Sequence, residues 1–175
     1  MPAATLEPTT RTEEDPVCWD CDHPASRMDE HLAVLQRCID ARGWAVQAIE
    51  RDRAHPPWAY TVGLTLRGLP ELVVTGMPLL EAGRLLDDTA EHLAHTCVPS
   101  PGQRFCLPGG PLLEVVKVER PWAHLLVSAR LFGEGIQALQ LVHADDAGRW
   151  PWERDFDGVR GGQPVLGVRA SPPSG

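Results

Sequence analysis

Lysine is almost missing from this chain of 175 residues: Lys117 is the only one, and it falls in an apparent strand. Covalent chemistry through a lysine amine therefore has one candidate at most. Basic residues nowhere cluster, and the formal net charge is −8 with pI ≈ 5.3. Nucleic-acid binding needs a basic face to neutralise phosphates, so the composition argues against a nucleic-acid partner and against an anionic membrane surface. No apolar run approaches the roughly 20 residues that span a bilayer. The N-terminal stretch MPAATLEPTTRTEEDP has neither the basic start nor the apolar core of a secretory signal. Five cysteines, an odd number, then read as reduced thiols, and the expected location is the cytoplasm. A G-x-S-x-G elbow, an H-E-x-x-H pair and a P-loop are all absent. Gly133-x-Gly135-x-x-Ala138 imitates a dinucleotide fingerprint, but it lies between a helix and a strand in the wrong order.

What the chain does have is organised around residues 58–78, WAYTVGLTLRGLPELVVTGMP. Trp58, Tyr60, Val62 and Leu64 alternate with Ala59, Thr61, Gly63 and Thr65, the period of a strand with one large and one small face. A small face implies close approach by a packed element or a ligand. Gly68 and Pro70 interrupt the strand, and Glu71–Thr75 then suits a central strand covered on both faces.

On either side the pattern continues. Ser26 with Asp29 resembles a capping box, followed by Leu32, Leu35 and Ile39 at helical spacing and by Gly43 as C-cap. Residues 44–50 predict a strand. After Pro78, Leu79, Ala82, Leu86, Ala90, Leu93 and Cys97 form one helical stripe. Strands are expected at 104–107 and 112–119, a helix from Pro121 to Phe132, and a last strand at 136–144. The Asp145–Gly148 turn and the aromatic loop 149–156 lead to a Gly/Pro-rich end in which only Pro164-Val165-Leu166 is expected to dock. This order predicts a single α+β domain over residues 25–168, a mixed but mostly antiparallel sheet with the two later helices on one face. Residues 1–24, with their CxxC, and 169–175 are expected to be disordered tails.

Several blocks carry a family resemblance: GWAVQAIE, PPWAYTVGLT, LPELVVTGMP, ALQLVHADDAGRWPWE and GGQPVLG, in that order. Together they resemble the bacterial family catalogued as domain of unknown function 4262, over roughly Asp29 to Gly167. The resemblance implies no reaction and no cofactor. It does imply that the Tyr60–Leu64, Pro70–Leu72 and Trp150–Glu153 blocks belong to one site or one scaffold.

Candidate chemistry is spread along the chain. Cys18, Cys21 and His23 have the spacing of half a zinc site, with His31, Cys38, Cys97 or Cys106 as further donors, and zinc is the cofactor such a set would take. The alternatives are free thiols or a redox pair. His55 is either an acid–base group or an exposed loop residue. His143 and Asp145 lie two apart on a strand, so they can pair; a surface salt bridge is the plainer account. Glu71 enters an apolar run, which makes it either a functional carboxylate or a partner for Arg67 or Arg130. Trp152, with Trp150 and Glu153, forms either a ligand wall or a plug for the core. The expected function is a small-ligand pocket protein, enzyme or binder, with Tyr60, Thr61, Glu71, His143, Asp145 and Trp152 at the site. A protein-interaction or regulatory module and a metal or redox role for Cys18 and Cys21 are the alternatives.

Overall fold

The computed structural model of the chain describes residues 24–53, 55–159 and 161–170. The described residues from Val34 onward form one compact unit, and Pro24–Ala33, the beginning of the first helix, belong to another. Cys18, Cys21 and His23, the tail up to Pro16 and residues 171–175 lie outside the described residues.

Among the described residues, three helices, α1 (Pro24–Arg42), α2 (Leu79–His95) and α3 (Leu126–Phe132), accompany six strands. The strands are β1 (Ala45–Ile49), β2 (Trp58–Val62), β3 (Glu71–Thr75), β4 (Arg104–Cys106), β5 (Leu112–Lys117) and β6 (Ala138–His143). They form one sheet in the order β1-β2-β3-β6-β5-β4. Every neighbouring pair is antiparallel except β3 and β6, which run parallel with Glu71 beside Ala138. This is the mixed, mostly antiparallel α+β domain that the element order predicts.

Strand β3 sits at the centre of the chain's organisation. Its five residues are all buried, and its apolar run serves both faces. Leu72 and Val74 join Ala59, Leu113, Val115, Leu139 and Leu141 in a core with Ala82, Leu86, Ala90 and Leu93 of α2. Val73 joins Tyr60, Val62 and Ala138 in a second core with Leu35 and Ile39 of α1, against which Val127 and Phe132 of α3 pack. The later helices therefore take opposite faces, contrary to the expectation of one. β3 passes the chain straight into α2 on one side, whereas α3 follows β5 and returns on the other. A third, smaller core of Val116, Val142, Ala144 and Trp150 extends that second face.

Other departures have local causes. Helix α1 already begins at Pro24, so Ser26 lies inside it and not at its cap; proline is well suited to a first helical turn. Gly43 does close it, at φ 91°, donating its N–H to the Ile39 carbonyl at 2.7 Å. Helix α2 ends at His95, which leaves Cys97 exposed. The expected helix from Pro121 is split into a 3-10 turn (Pro121–Ala123) and α3, with Leu125 between them in a non-helical conformation. Strand β2 stops at Val62. Gly63, at φ 121°, turns the chain into a 3-10 turn over Leu64–Arg67, so Leu64 joins the α2 core and not the face of Tyr60.

Candidate binding cleft

The residues expected to form a site fall into three places. Tyr60, Thr61 and Glu71 are 2 %, 0 % and 0 % exposed and make a sealed knot where β2 and β3 diverge. The Glu71 carboxylate accepts four hydrogen bonds: from the Thr61 hydroxyl at 2.7 Å, the Gly63 and Thr65 N–H groups at 3.0 Å each, and the Thr65 hydroxyl at 2.8 Å. No arginine pairs with it among the described residues, so in place of an ion pair with Arg67 or Arg130, one of its two readings, it has hydrogen-bond donors alone. The Thr61 hydroxyl also accepts the Leu72 N–H at 2.8 Å, standing in for a main-chain partner. α3 locks onto the same knot through Val127 N–H to the Tyr60 hydroxyl and Ser128 Oγ to the Thr61 carbonyl, each 3.3 Å. Burial pushes the Tyr60 phenol up; the Val127 N–H opposes this and the Glu71 charge adds to it. Gly63 meets Gly43 O and the Ile39 side chain where a Cβ would sit, so its close approach is made by a packed helix.

Removing one hydroxyl tests that knot. Thr61→Val keeps the shape but leaves the buried Leu72 N–H without an acceptor, and it is expected to lower stability by about 1–3 kcal/mol. Urea denaturation reads this directly. An unchanged midpoint would mean that the hydroxyl is not shared between Glu71 and Leu72.

His143 and Asp145 lie elsewhere, in the wall of a cleft of about 670 Å³. Gly76, Met77 and Pro78 after β3 form one side of it, and Glu81, Arg84, Leu85 and Asp88 of α2 line it further along. Leu107–Pro111 between β4 and β5, His143–Asp146 after β6, and Asp157–Val159 complete the lining. The cleft thus opens at the carboxyl ends of the parallel pair. There the chain leaves β3 towards α2 on one face, and leaves β6 towards the Trp150 loop on the other. Adjacent parallel strands whose connections part to opposite faces leave a crevice by construction.

His143 and Asp145 do not pair. Asp145 accepts from Ala147 N–H and Arg149 N–H on one oxygen, and from Arg149 Nε and Asp157 N–H on the other. Burial raises its pKa, but these donors and the Arg149 charge outweigh it and hold the carboxyl at about 2. It is the organiser of its turn. The His143 Nδ1 lies 3.4 Å from the Ala144 carbonyl, and Nε2 is buried without a hydrogen-bond partner among the described residues. Burial lowers the His143 pKa, prevailing over the Ala144, Gly76 and Thr75 carbonyls and the Glu81 charge, which raise it. His124 is lowered too, by burial and then by Arg120.

These shifts share a sign. A histidine held neutral binds its proton less tightly folded than unfolded, so its contribution is complete above about pH 6.5 and is lost as pH falls from there. The Asp145 contribution is complete above about pH 4 and is lost on the way down to about 2. The expected urea midpoint therefore falls with acid in two stages, and His143→Asn should reduce the first, leaving the share of His124. A midpoint constant from neutrality to about pH 5 would count against a buried neutral His143.

Trp152 occupies the third place. It stacks on Trp150 at 5.3 Å with 5° between the rings, and both pack against the third core. The Arg104 guanidinium lies 4.6 Å from the Trp150 ring centroid and that of Arg169 3.5 Å from Trp152. Both arginines converge on Glu114, which is 2 % exposed. Burial raises the Glu114 pKa, but the two arginines prevail and lower it. Glu153 accepts the Trp150 N–H at 2.8 Å, closing its own loop. The stacked pair thus packs on the third core, with both arginines on its outer faces.

His55 is exposed and bonds Asp52 within its loop. Among the described residues no group of three or more His, Cys, Asp or Glu is placed to hold a metal ion, and Cys38, Cys97 and Cys106 are exposed free thiols. The residues that sequence reasoning missed are amides. Gln140, fully buried, donates to Thr75 Oγ1 and the Pro164 carbonyl and accepts the Leu166 N–H. Gln163 bonds both the N–H and the carbonyl of His143, each at 2.9 Å. A glutamine inside an apolar strand, ALQLVH, was the available signal for the first.

No curated protein and no solved structure is detectably similar to the chain. Residues 38–157 match the family described as Domain of unknown function (DUF4262). That span covers β1 to β6, the knot and nearly all of the cleft lining, so the chain is a member of the DUF4262 family.

Proposed function

We propose that the protein binds a small molecule in the cleft beyond β3 and β6. The observation that supports this is the coincidence of an open cavity of ligand size with the one parallel seam of the described sheet. The site is displaced from the one expected on Thr61 and Glu71 to the far end of the same strand. Its partner in this reading is a small molecule, with neither nucleic acid nor membrane involved, and its setting is the bacterial cytoplasm. No helix among the described residues is long and apolar enough to cross a membrane. An interaction role has less support, because the most exposed large apolar residues, Leu66, Leu80, Leu126 and Val168, stand on four different segments.

Glu81 is exposed and lines the cleft, so Glu81→Trp should obstruct it while leaving the core intact. Untargeted mass spectrometry of molecules co-purifying with the two proteins, with thermal shift against a metabolite library, is the test. A molecule held by the parent and lost by folded Glu81→Trp supports the reading. One held equally by both, or no binder at all, overturns it.

A further inference from the structure

Beyond Val73, β3 and β6 separate. Alternation along β6 points the N–H and carbonyl of His143 towards the β3 side, since Ala144 donates its N–H to Leu112 on the β5 side. β3 ends at Thr75, where Gly76 bends the chain at φ 66° while its N–H continues the β2 ladder to the Pro57 carbonyl at 2.8 Å. The Gln163 side chain fills the gap, offering one donor and one acceptor as a peptide group would. Gln163 is only 6 % exposed. Its segment is fixed further along, where Leu166 accepts the Glu119 N–H at 3.0 Å and gives its own N–H to Gln140.

We infer that Gln163 is a positioning residue for His143: its amide completes the edge that β3 abandons and fixes the imidazole in the wall of the cleft. This rests on the reading of the cleft as a binding site, and it brings the C-terminal segment, outside the matched family span, into that site. The groups that face the imidazole's surroundings are Glu81, Arg84 and Asp88 on α2, Asp145 and Asp146 after β6, Asp157, and the Phe156 ring at 6.4 Å. A ring held in place against these stays neutral and uncharged towards a ligand at neutral pH; a released ring would hydrate and titrate normally.

The test needs no ligand, so its outcome is separable from that of the binding screen. In the parent protein, the His143 amide should exchange with solvent as slowly as that of Leu141, although its acceptor is a side chain. Gln163→Ala should speed that exchange at least about tenfold relative to Leu141 and move the imidazole titration, followed by NMR, up towards the ordinary histidine value. Gln163→Glu retains an acceptor for the N–H but loses the donor to the carbonyl, and should shift the titration up as well. If Gln163 only tethers the C-terminal segment, the melting temperature of both variants falls while the His143 titration stays put. That result, or a fast-exchanging His143 amide in the parent protein, overturns the inference.

Discussion

Glu71→Ala is expected to destabilise the protein by about 4 kcal/mol or more, enough to leave it largely unfolded at 37 °C if the domain has ordinary stability. The truncation strands the Gly63 and Thr65 N–H groups and removes the shared acceptor of two hydroxyls. Each buried donor left without a partner costs about 1–3 kcal/mol, and the vacated volume adds to that. Glu71→Gln separates the two contributions. It keeps the volume and one acceptor oxygen but places an amide nitrogen against donors, so about 1–3 kcal/mol should be lost. Equilibrium urea unfolding of both variants gives the order. A Gln variant as stable as the parent would show that the carboxylate oxygen accepting from Thr61 is dispensable, the other being enough to hold the turn at Gly63.

The second large effect is expected at Gly76. Its φ of 66° is a conformation that costs a residue with a side chain about 1–2 kcal/mol. A Cβ there would also collide with the Gly162 carbonyl and lie 2.8 Å from Gln163 Cα, both main chain and neither able to rotate aside. Gly76→Ala should therefore cost about 3 kcal/mol or more and displace the Gln163 segment. Gly83 provides the contrast within α2: nothing lies within 4 Å of its added Cβ and its φ is not positive. Gly83→Ala should stabilise the protein by about 0.5–1 kcal/mol. Thermal unfolding of the pair gives shifts of opposite sign, and a Gly76→Ala protein with an unchanged midpoint would refute the close approach.

Much of the architecture is legible in the sequence because it is written in local patterns. Leu72-Val73-Val74 between Gly68 and Gly76 specifies a strand buried on both faces, and Ala82, Leu86, Ala90 and Leu93 specify α2. Period-two alternation fails at Leu64 because the turn there is decided by Glu71, an acceptor brought in by the neighbouring strand. The candidate site was harder to read for the same kind of reason. Composition places His143 and Asp145 near a strand end, and the cleft does form around them. Thr61 and Glu71 look equally polar and equally well placed, but they satisfy each other and are sealed. Which polar residues face a cavity and which face one another depends on partners distant in sequence, and single residue types carry no mark of it. Gln163 falls in the GGQPVLG block, but nothing in that block's periodicity marks its amide as a partner for His143.

The strand order also has a consequence for assembly. β1-β2-β3 and β4-β5-β6 are each a meander of consecutive antiparallel strands, and the two meanders meet only where β3 lies beside β6. Pairings β1–β2, β2–β3 and β4–β5 close short loops and are entropically inexpensive, and β5–β6 closes one that holds α3, whereas the central pairing closes a longer loop that contains α2, β4, β5 and α3. It is the most demanding contact in the sheet to establish during folding. The cleft spans that junction, so neither meander carries it alone, and it comes into being only when the two halves of the sheet have joined.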